Sequence, residues 1–206
     1  MTSSDAAVLG LIDNQQRILV CKRASHLRVH PGEACLPGGK VEEGDDTLVH
    51  TALREAHEEV GIDRDLIKVR YELDPINSLA GLWVHPVIGT VEDQPLLRIN
   101  EEEVASVAWI SLKSFLSSED HWSGNHGKYT VHGFELPEMR VFGLTANLCI
   151  LIAIKELGRA PDFDLNEELK LEEIASMDSE QIIRRFYDYY YENVKPAKED
   201  RVRGKI

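Results

Sequence analysis

Residues 38–62 read GGKVEEGDDTLVHTALREAHEEVGI and join a loop rich in glycine and acids to a segment with helical periodicity. Apolar residues recur at helical spacing between residues 47 and 60, which predicts one amphipathic helix. Gly61 follows the last of these residues and predicts the end of that helix. The stretch therefore predicts a loop followed by a short helix that packs one face on a core.

Three glutamates share a different face of this predicted helix. Glu55, Glu58 and Glu59 stand at positions i, i+3 and i+4, which places their side chains together. Like charges at this spacing repel each other by a few tenths of a kcal/mol per pair. A divalent cation converts that repulsion into binding, because hard cations prefer clustered oxygen ligands. We therefore predict that these glutamates bind a metal ion.

The charge balance of the 206-residue chain excludes several classes of partner. Its 36 acidic and 23 basic residues give a net charge of -13. This balance argues against non-specific binding to nucleic acid or to anionic membranes. No apolar run is long enough to predict a membrane span, and the first ten residues lack the pattern of a secretory signal. We expect a small-molecule substrate, no nucleic acid and no membrane; oligomeric state is left open.

Cysteine usage indicates a reducing compartment. Cys21, Cys35 and Cys149 are an odd number and lie among hydrophobic residues, without the spacing of a zinc site. We predict that they are buried free thiols.

The remaining pattern predicts a mixed β-sheet with helices against its faces, an α/β (α+β mixed) fold. A hairpin is predicted at residues 6–12 and 17–21. Further strands are predicted at residues 32–36, 66–73, 82–91, 103–110 and 129–136, with a loop at residues 118–127. Helices are predicted at residues 111–116, 143–157, 169–175 and 180–194. The apolar and aromatic side of the last helix predicts core packing, with a partner or substrate surface as the alternative.

A change in composition at Pro161 predicts the domain organisation. We expect a catalytic domain over residues 1–160 and a C-terminal helical extension over residues 161–206, which ends in a loose basic tail.

A cluster of basic residues stands just before the acidic loop. Lys22, Arg23 and Arg28 occur there, with His26 and His30 nearby. One interpretation is a solvated loop. The other is a clamp for phosphate groups, because arginine offers bidentate donors and lysine a point charge.

The central stretch resembles the Nudix box, G-x5-E-x7-R-E-U-x-E-E-x-G-U, where U is aliphatic. Residues 54–62, REAHEEVGI, fit its second half closely. The first half carries one extra residue and an aspartate for the glutamate: five residues lead from Gly39 to Asp45, whereas seven residues counted back from Arg54 give Asp46. Coenzyme A diphosphatases of the Nudix superfamily carry such a lengthened box.

An upstream segment is similar to the signature of the same coenzyme A diphosphatase (pyrophosphatase) family. It reads ILVCKRASHLR at residues 18–28 and PGEACLPGG at residues 31–39. Leu36 stands in place of an aromatic residue and Glu42 in place of an aspartate. The resemblance is closest to the animal peroxisomal branch.

This resemblance implies an α/β/α sandwich around a mixed sheet, and dependence on Mg2+ or Mn2+. It implies a metal-binding hydrolase that cuts the pyrophosphate linkage of coenzyme A or its derivatives, giving 3′,5′-ADP and 4′-phosphopantetheine or its acyl form. Two alternatives stay open. One is a Nudix hydrolase of another nucleoside diphosphate derivative, such as ADP-ribose or a dinucleotide. The other is a non-catalytic Nudix-fold binding module.

The resemblance also implies roles for individual residues. Glu55 and Glu59 are expected as the firmest metal ligands, with Glu58 next or else holding Arg54. Arg54 is expected to bind a carboxylate and orient the cluster. That carboxylate would come from one of three loop acids, namely Glu42, Asp45 and Asp46.

Further roles are expected for residues outside the helix. Glu103 adjoins a predicted strand and is expected as a metal ligand or general base, with a solvated face as the alternative. Arg23, Arg28 and Lys40 are expected to contact the substrate phosphates, including the 3′-phosphate of coenzyme A. An intracellular location is expected, peroxisomal by resemblance and cytoplasmic otherwise. The last residues, Gly-Lys-Ile, are similar to a poor Ser-Lys-Leu peroxisomal address.

Overall fold

A computed structural model describes residues 5–78 and 81–193 of the chain. It divides into two compact units, one formed by residues 5–78 and 82–111 and the other by residues 81 and 112–193. The boundary predicted at Pro161 from composition stays a prediction. The predicted basic tail, residues 195–206, and its last three residues lie outside the described part of the chain.

The first unit combines a mixed sheet with one long helix. Its strands are β1 (Asp5–Ile12), β2 (Arg17–Arg23), β3 (Ala34–Cys35), β4 (Gly38–Lys40), β5 (Lys68–Glu72), β6 (Ile76–Asn77), β7 (Trp83–Thr90) and β8 (Val104–Ser111). Its helix α1 is Leu48–Val60, and Arg64–Leu66 forms a single turn of 3-10 helix.

Strand β1 lies at the centre of this sheet. It runs parallel to β7 from Asp5↔Trp83 to Ile12↔Thr90 and antiparallel to β2 and β4. Strand β2 also pairs with β3 and β8, while β7 pairs with β5 and β6. The predicted hairpin and the predicted mixed sheet are both confirmed.

Local sequence signals set the ends of α1 as predicted. The hydroxyl of Thr47 accepts a hydrogen bond from the backbone N–H of His50 at 3.0 Å, which satisfies an otherwise unpaired donor. Gly61 ends the helix in the left-handed conformation with φ 69°. Ala52, Ala56 and Val60 are fully buried, and they share a core with residues of the sheet, among them Leu9, Leu11 and Val87. This core fixes one side of α1 and therefore the direction of its other side chains.

Two of the cysteines lie beside each other on adjacent strands. Cys21 in β2 is the register partner of Cys35 in β3, and both are free thiols. Burial raises the pKa of Cys35 to about 12 and that of Cys21 well above its usual value. Cys149 is also a buried free thiol, so the prediction of free thiols is confirmed, with Cys35 only half-buried.

The second unit contains a three-stranded antiparallel sheet and three α-helices. Its strands, in spatial order, are β11 (Arg140–Phe142), β10 (Tyr129–Glu135) and β9 (His121–His126). Its helices are α2 (Leu144–Leu157), α3 (Leu171–Ile174) and α4 (Ser179–Asn193), preceded by a 3-10 segment at Leu112–Leu116.

The predicted loop at residues 118–127 is wrong, because residues 121–126 form strand β9. These residues, HWSGNH, are polar and lack the alternation that signals a strand. Their strand conformation depends on the partner β10, where Gly133 pairs with Trp122. A Cβ on Gly133 would come within 2.2 Å of the Trp122 ring, so the missing side chain makes room for the indole.

The two long helices of the second unit match their predictions. Residues 146–154 of α2 are all buried, as the apolar run predicts. The apolar side of α4 is buried as well, which confirms core packing, through Ile182, Ile183, Phe186, Tyr187 and Tyr190. Within the described residues, every helix is too short or too polar to cross a membrane.

Candidate active site

Arg54 ties the acidic loop to helix α1. Its Nε and Nη2 atoms donate to the two carboxylate oxygens of Asp45 at 3.1 and 3.0 Å. The Asp45 side chain is only 2% exposed. The Arg54 hydrogen bonds hold the pKa of Asp45 well below its usual range, and Asp45 in turn raises the pKa of Arg54. Of the three predicted partners of Arg54, the structure selects Asp45, while Glu42 and Asp46 are exposed.

The loop reaches Arg54 through a tight turn. The Asp45 backbone N–H donates to the carbonyl of Glu42 at 3.1 Å, and the Glu42 N–H donates to the Asp45 carboxylate at 3.0 Å. Thr51 in α1 donates to the same carboxylate at 2.9 Å. These bonds fix Asp45 beside Arg54, and the extra residue of the box therefore falls between Asp45 and Arg54.

The same guanidinium holds two of the predicted metal ligands. Arg54 Nη1 donates to Glu55 Oε1 at 3.0 Å and to Glu58 Oε2 at 2.9 Å. The Glu58 side chain is 51% exposed, whereas that of Glu55 is 12% exposed. Burial raises the pKa of Glu55 against the opposing effect of Arg54. Glu58 thus binds Arg54. This contact was the predicted alternative to metal binding by Glu58.

Glu59 is the most deeply placed carboxylate of the set. It is 2% exposed and accepts a hydrogen bond from the backbone N–H of Gly38 at 3.1 Å. Burial raises its pKa to about 7, and the charges of Glu55 and Glu103 act in the same direction. Arg23 acts in the opposite direction. Glu59 is therefore partly protonated near neutral pH when only these side chains surround it.

Glu103 comes from a different segment and acts on the same carboxylates. It immediately precedes β8, and its charge raises the pKa of both Glu55 and Glu59. Its carboxylate accepts from Asn100 Nδ2 at 3.3 Å, and its carbonyl accepts from the Ala24 N–H at 2.8 Å. These bonds fix the end of β8 beside the segment that follows β2. The fold therefore brings Glu103 within electrostatic reach of Glu55 and Glu59.

Gly39 allows the sheet to approach this set closely. A Cβ on Gly39 would lie 2.2 Å from Glu55 Oε1. The atom that the Gly39 backbone approaches is thus a carboxylate oxygen of Glu55. The spacing of the motif identifies Gly39. The contact with Glu55 that requires a glycine there depends on the packing of α1 against β4.

Only one of the predicted phosphate-binding residues is brought to the carboxylates. Arg23 is half-buried at the end of β2, its Nε donates to the Val29 carbonyl at 3.4 Å, and its charge lowers the pKa of Glu59. The side chains of Arg28 and Lys40 are exposed. The carbonyl of Lys40 accepts from Arg54 Nη2 at 3.1 Å. Contact of these cations with phosphate stays a prediction.

The donor set fits a hard divalent ion in its chemistry. Glu55, Glu59 and Glu103 offer only oxygen atoms, which suit Mg2+ or Mn2+. Over residues 5–78 and 81–193, however, no group of three or more His, Cys, Asp or Glu side chains is arranged to hold a metal ion. Arg54 instead binds Glu55 and Glu58, and the Gly38 N–H binds Glu59. Metal ligation by these residues stays a prediction.

Comparison with known families identifies the chain. The family model described as the NUDIX domain matches residues 1–130. The chain belongs to the Nudix family. Predicted membership of this family, its hydrolase class and the mixed α/β fold are thereby confirmed. Nudix hydrolases generally need divalent metal ions and act on small molecules.

This Nudix hydrolase is similar to several named or solved proteins. A Caenorhabditis elegans protein named peroxisomal coenzyme A diphosphatase ndx-8 is 35% identical, covering 93% of this chain and 86% of its own length. The Arabidopsis thaliana protein named Nudix hydrolase 15, mitochondrial, is 38% identical, covering 73% of this chain and 56% of its own length. The crystal structure of the M. smegmatis Nudix hydrolase RenU is 22% identical, covering 54% of this chain and 73% of that chain, with a TM-score of 0.47.

Proposed function

We propose that this Nudix hydrolase cleaves the pyrophosphate bond of coenzyme A and its derivatives, using Mg2+ or Mn2+. The products are 3′,5′-ADP and 4′-phosphopantetheine or its acyl form. The observation that supports the reaction is the Arg54–Asp45 clamp, which holds Glu55 and Glu58 on helix α1 beside the buried Glu59. The choice of substrate is supported by the lengthened Nudix box and by similarity to the C. elegans diphosphatase.

The chemistry requires charge to be neutralised at two adjoining phosphoryl groups. A bound divalent ion supplies that neutralisation and lowers the pKa of an attacking water. Glu55 and Glu59 would hold the ion, with Glu58 as the next ligand if it were released from Arg54. Glu103 is oriented by Asn100 and accepts a proton as general base. Arg54 keeps Glu55 in place while Asp45 fixes Arg54.

Binding of the substrate requires cations in a strongly acidic chain. Arg23 already lies within electrostatic reach of Glu59. Arg28 and Lys40 extend exposed side chains from the loop after β2 and from the end of β4. We propose that these three residues contact the phosphates, including the 3′-phosphate of coenzyme A, through bidentate arginine bonds and the lysine charge.

A product assay tests the proposed activity. The purified full chain is incubated with coenzyme A or with ADP-ribose, with Mg2+, with Mn2+ or with EDTA, and the products are separated by chromatography. We expect 3′,5′-ADP from coenzyme A only when the metal is present. Faster release of AMP from ADP-ribose would assign the enzyme to a different substrate. Absence of turnover in both the wild type and Glu59→Gln would indicate a binding module.

Four variants test the proposed metal ligands. Glu59→Gln and Glu55→Gln should lower Mn2+ affinity and kcat/KM by about 10–100-fold or more, because each removes a buried ligand charge. Glu58→Gln should have a smaller effect, because Glu58 is half-exposed and bound to Arg54. Glu102→Gln is the matched control, since Glu102 is exposed and adjoins Glu103. Calorimetric titration with Mn2+ measures affinity, and equal effects of all four changes would reject these ligands.

We also propose a peroxisomal location, supported by the name of the C. elegans relative, while the A. thaliana relative is named as mitochondrial. Imaging of the chain with a fluorescent protein fused to its N-terminus, together with peroxisomal and mitochondrial markers, tests the location. Co-localisation with the mitochondrial marker alone would reject it.

A further inference from the structure

Residues 97–100 lie across the C-terminal end of helix α1. The backbone N–H of Arg98 donates to the carbonyl of Val60 at 2.9 Å, and that of Asn100 donates to the carbonyl of Glu59 at 2.9 Å. The last carbonyls of a helix have no partner within the helix, so these two bonds satisfy groups that would otherwise be unpaired. The segment is therefore fixed to the helix that carries the predicted metal ligands.

The position of this segment does not depend on the side chain of Asn100. A Cβ on Gly61 would lie 2.7 Å from Arg98 Cβ and 2.8 Å from the Arg98 carbonyl oxygen, so the glycine permits the close approach. Leu97 and Ile99 pack against the core that α1 shares with the sheet. Backbone hydrogen bonds and apolar packing thus hold the segment in place.

The side chain of Asn100 has a defined orientation. Its Oδ1 accepts from the backbone N–H of Glu102 at 3.2 Å. A backbone N–H can only donate, so the oxygen of the amide must face Glu102. Its Nδ2 donates to Glu103 Oε1 at 3.3 Å. The Asn100 carbonyl accepts from the N–H groups of Glu103 and Val104 at 3.0 and 2.9 Å, so every polar group of this residue is used.

Asn100 therefore connects two of the carboxylate residues of the candidate site. Its main chain is bound to Glu59 and its side chain to Glu103, which lies within electrostatic reach of Glu59. A carboxylate on a long side chain can adopt several rotamers, and a hydrogen bond to one oxygen restricts them. The bond engages Oε1 of Glu103 and leaves Oε2 to accept a proton or to contact a metal ion.

We propose that Asn100 is a positioning residue, which holds the Glu103 carboxylate at a fixed place relative to the glutamates of α1. Its effect on catalysis rests on the proposed function, in which Glu103 is the general base. Asn100 acts only through Glu103 and takes no part in binding the substrate phosphates. Its loss should therefore lower kcat and leave KM nearly unchanged.

Asn100→Asp changes the one bond on which the proposal depends. The aspartate keeps an oxygen that accepts from Glu102 and keeps the main-chain bonds, but it places a second carboxylate against Glu103. We expect kcat to fall by about 10–100-fold. The matched control is Asn14→Asp, since Asn14 Nδ2 donates to Asp93 Oδ1 at 3.5 Å on the exposed surface of the same unit. A wild-type kcat in Asn100→Asp, or an equal loss in the control, would overturn the proposal.

A double-mutant cycle distinguishes positioning of Glu103 from a purely structural role. If Asn100 acts through Glu103, Asn100→Asp should have little further effect on kcat in a Glu103→Gln background. If Asn100 serves only to stabilise the end of α1 and the start of β8, the two losses in kcat should multiply. Multiplied losses, measured in single-turnover reactions with coenzyme A and Mg2+, would overturn the proposal.

NMR tests the contact without catalysis and separates this proposal from the proposed function. In the full chain labelled with 15N, the side-chain signals of Asn100 should shift in Glu103→Gln and stay in place in Glu101→Gln, because Glu101 is exposed. Unchanged signals in Glu103→Gln would overturn the positioning role even if coenzyme A is hydrolysed. Shifted signals without coenzyme A hydrolysis would support the contact and reject the proposed reaction. This comparison decides the matter if Asn100→Asp does not fold.

Discussion

Arg54 binds both carboxylate oxygens of Asp45, at 3.1 and 3.0 Å, and this one pair joins the acidic loop to helix α1. The remaining guanidinium nitrogen binds Glu55 and Glu58. A single side chain thus sets the positions of three acids that would otherwise repel each other. The pair is charged and largely buried, so its geometry is held far more firmly than that of an exposed ion pair.

Replacement of Asp45 should therefore damage the site through Arg54. Asp45→Asn removes the charge and one of the two acceptors, and we expect kcat/KM to fall by about 10–100-fold. The free energy of unfolding should fall by about 1–3 kcal/mol, because Arg54 loses a buried partner. Steady-state kinetics and urea unfolding measure the two effects. Asp46→Asn is the control, since Asp46 is exposed, and an equal loss in both variants would contradict the assignment.

Two adjoining glycines should respond differently to the same substitution. Gly39→Ala places a Cβ against the carboxylate of Glu55, the end of a flexible side chain, so activity should fall with little change in stability. Gly38→Ala places a Cβ 2.4 Å from the Ala7 carbonyl oxygen and 2.6 Å from Val8 Cα, which are backbone atoms. The unfolding midpoint should therefore fall in Gly38→Ala. A Gly39→Ala enzyme with wild-type kcat would contradict the role of this contact.

Glu59 should make the metal-free protein less stable as pH rises. Its pKa of about 7 in the folded chain exceeds the ordinary value of 4.5, so the folded state binds more protons between these values. The contribution of Glu59 to the free energy of unfolding is fully present below about pH 4.5. It is lost as pH rises through 7, by an amount on the order of 3 kcal/mol. Urea unfolding in EDTA at pH 5 and 7.5 measures this loss. The loss should be smaller in Glu59→Gln, and identical losses in both proteins would refute the assignment.

A pair of histidines in the second unit should have the opposite pH dependence. His132 Nε2 donates to the Leu165 carbonyl at 2.8 Å, so its Nδ1 accepts from His121 Nε2 at 2.9 Å. Burial lowers the pKa of His121 from 6.5 to about 4 and also lowers that of His132. Between about pH 4 and 6.5 the unfolded chain therefore binds more protons than the folded chain. The free energy of unfolding falls as pH drops below about 6.5.

His121→Phe tests this effect. The ring of His121 stacks on Phe163 with a centroid distance of 3.7 Å, and a phenyl ring can keep that contact without titrating. Thermal unfolding between pH 4 and 7, measured in a Glu59→Gln background, should depend less on acid in the variant. The background removes the opposing titration of Glu59. An unchanged acid dependence would show that other groups control stability in this range.

The sequence by itself determined the features that depend on local signals. Periodicity, the Thr47 cap and Gly61 specify helix α1 and its row of glutamates, because helix geometry places residues three and four apart on one face. The β1–β2 hairpin and the buried helix α2 follow from apolar runs and the residues that end them. The Nudix box follows from residue types at fixed spacing.

Contacts between distant segments were decided only by the tertiary structure. The motif count left Glu42, Asp45 and Asp46 as possible partners of Arg54, and the structure shows that Asp45 is the partner. Strand β9 has a polar sequence and depends on pairing with β10. The electrostatic interaction of Glu103 with Glu59 joins residues that are far apart in the chain. Local periodicity specifies which face of an element is apolar, but the packing of elements determines which polar side chains meet.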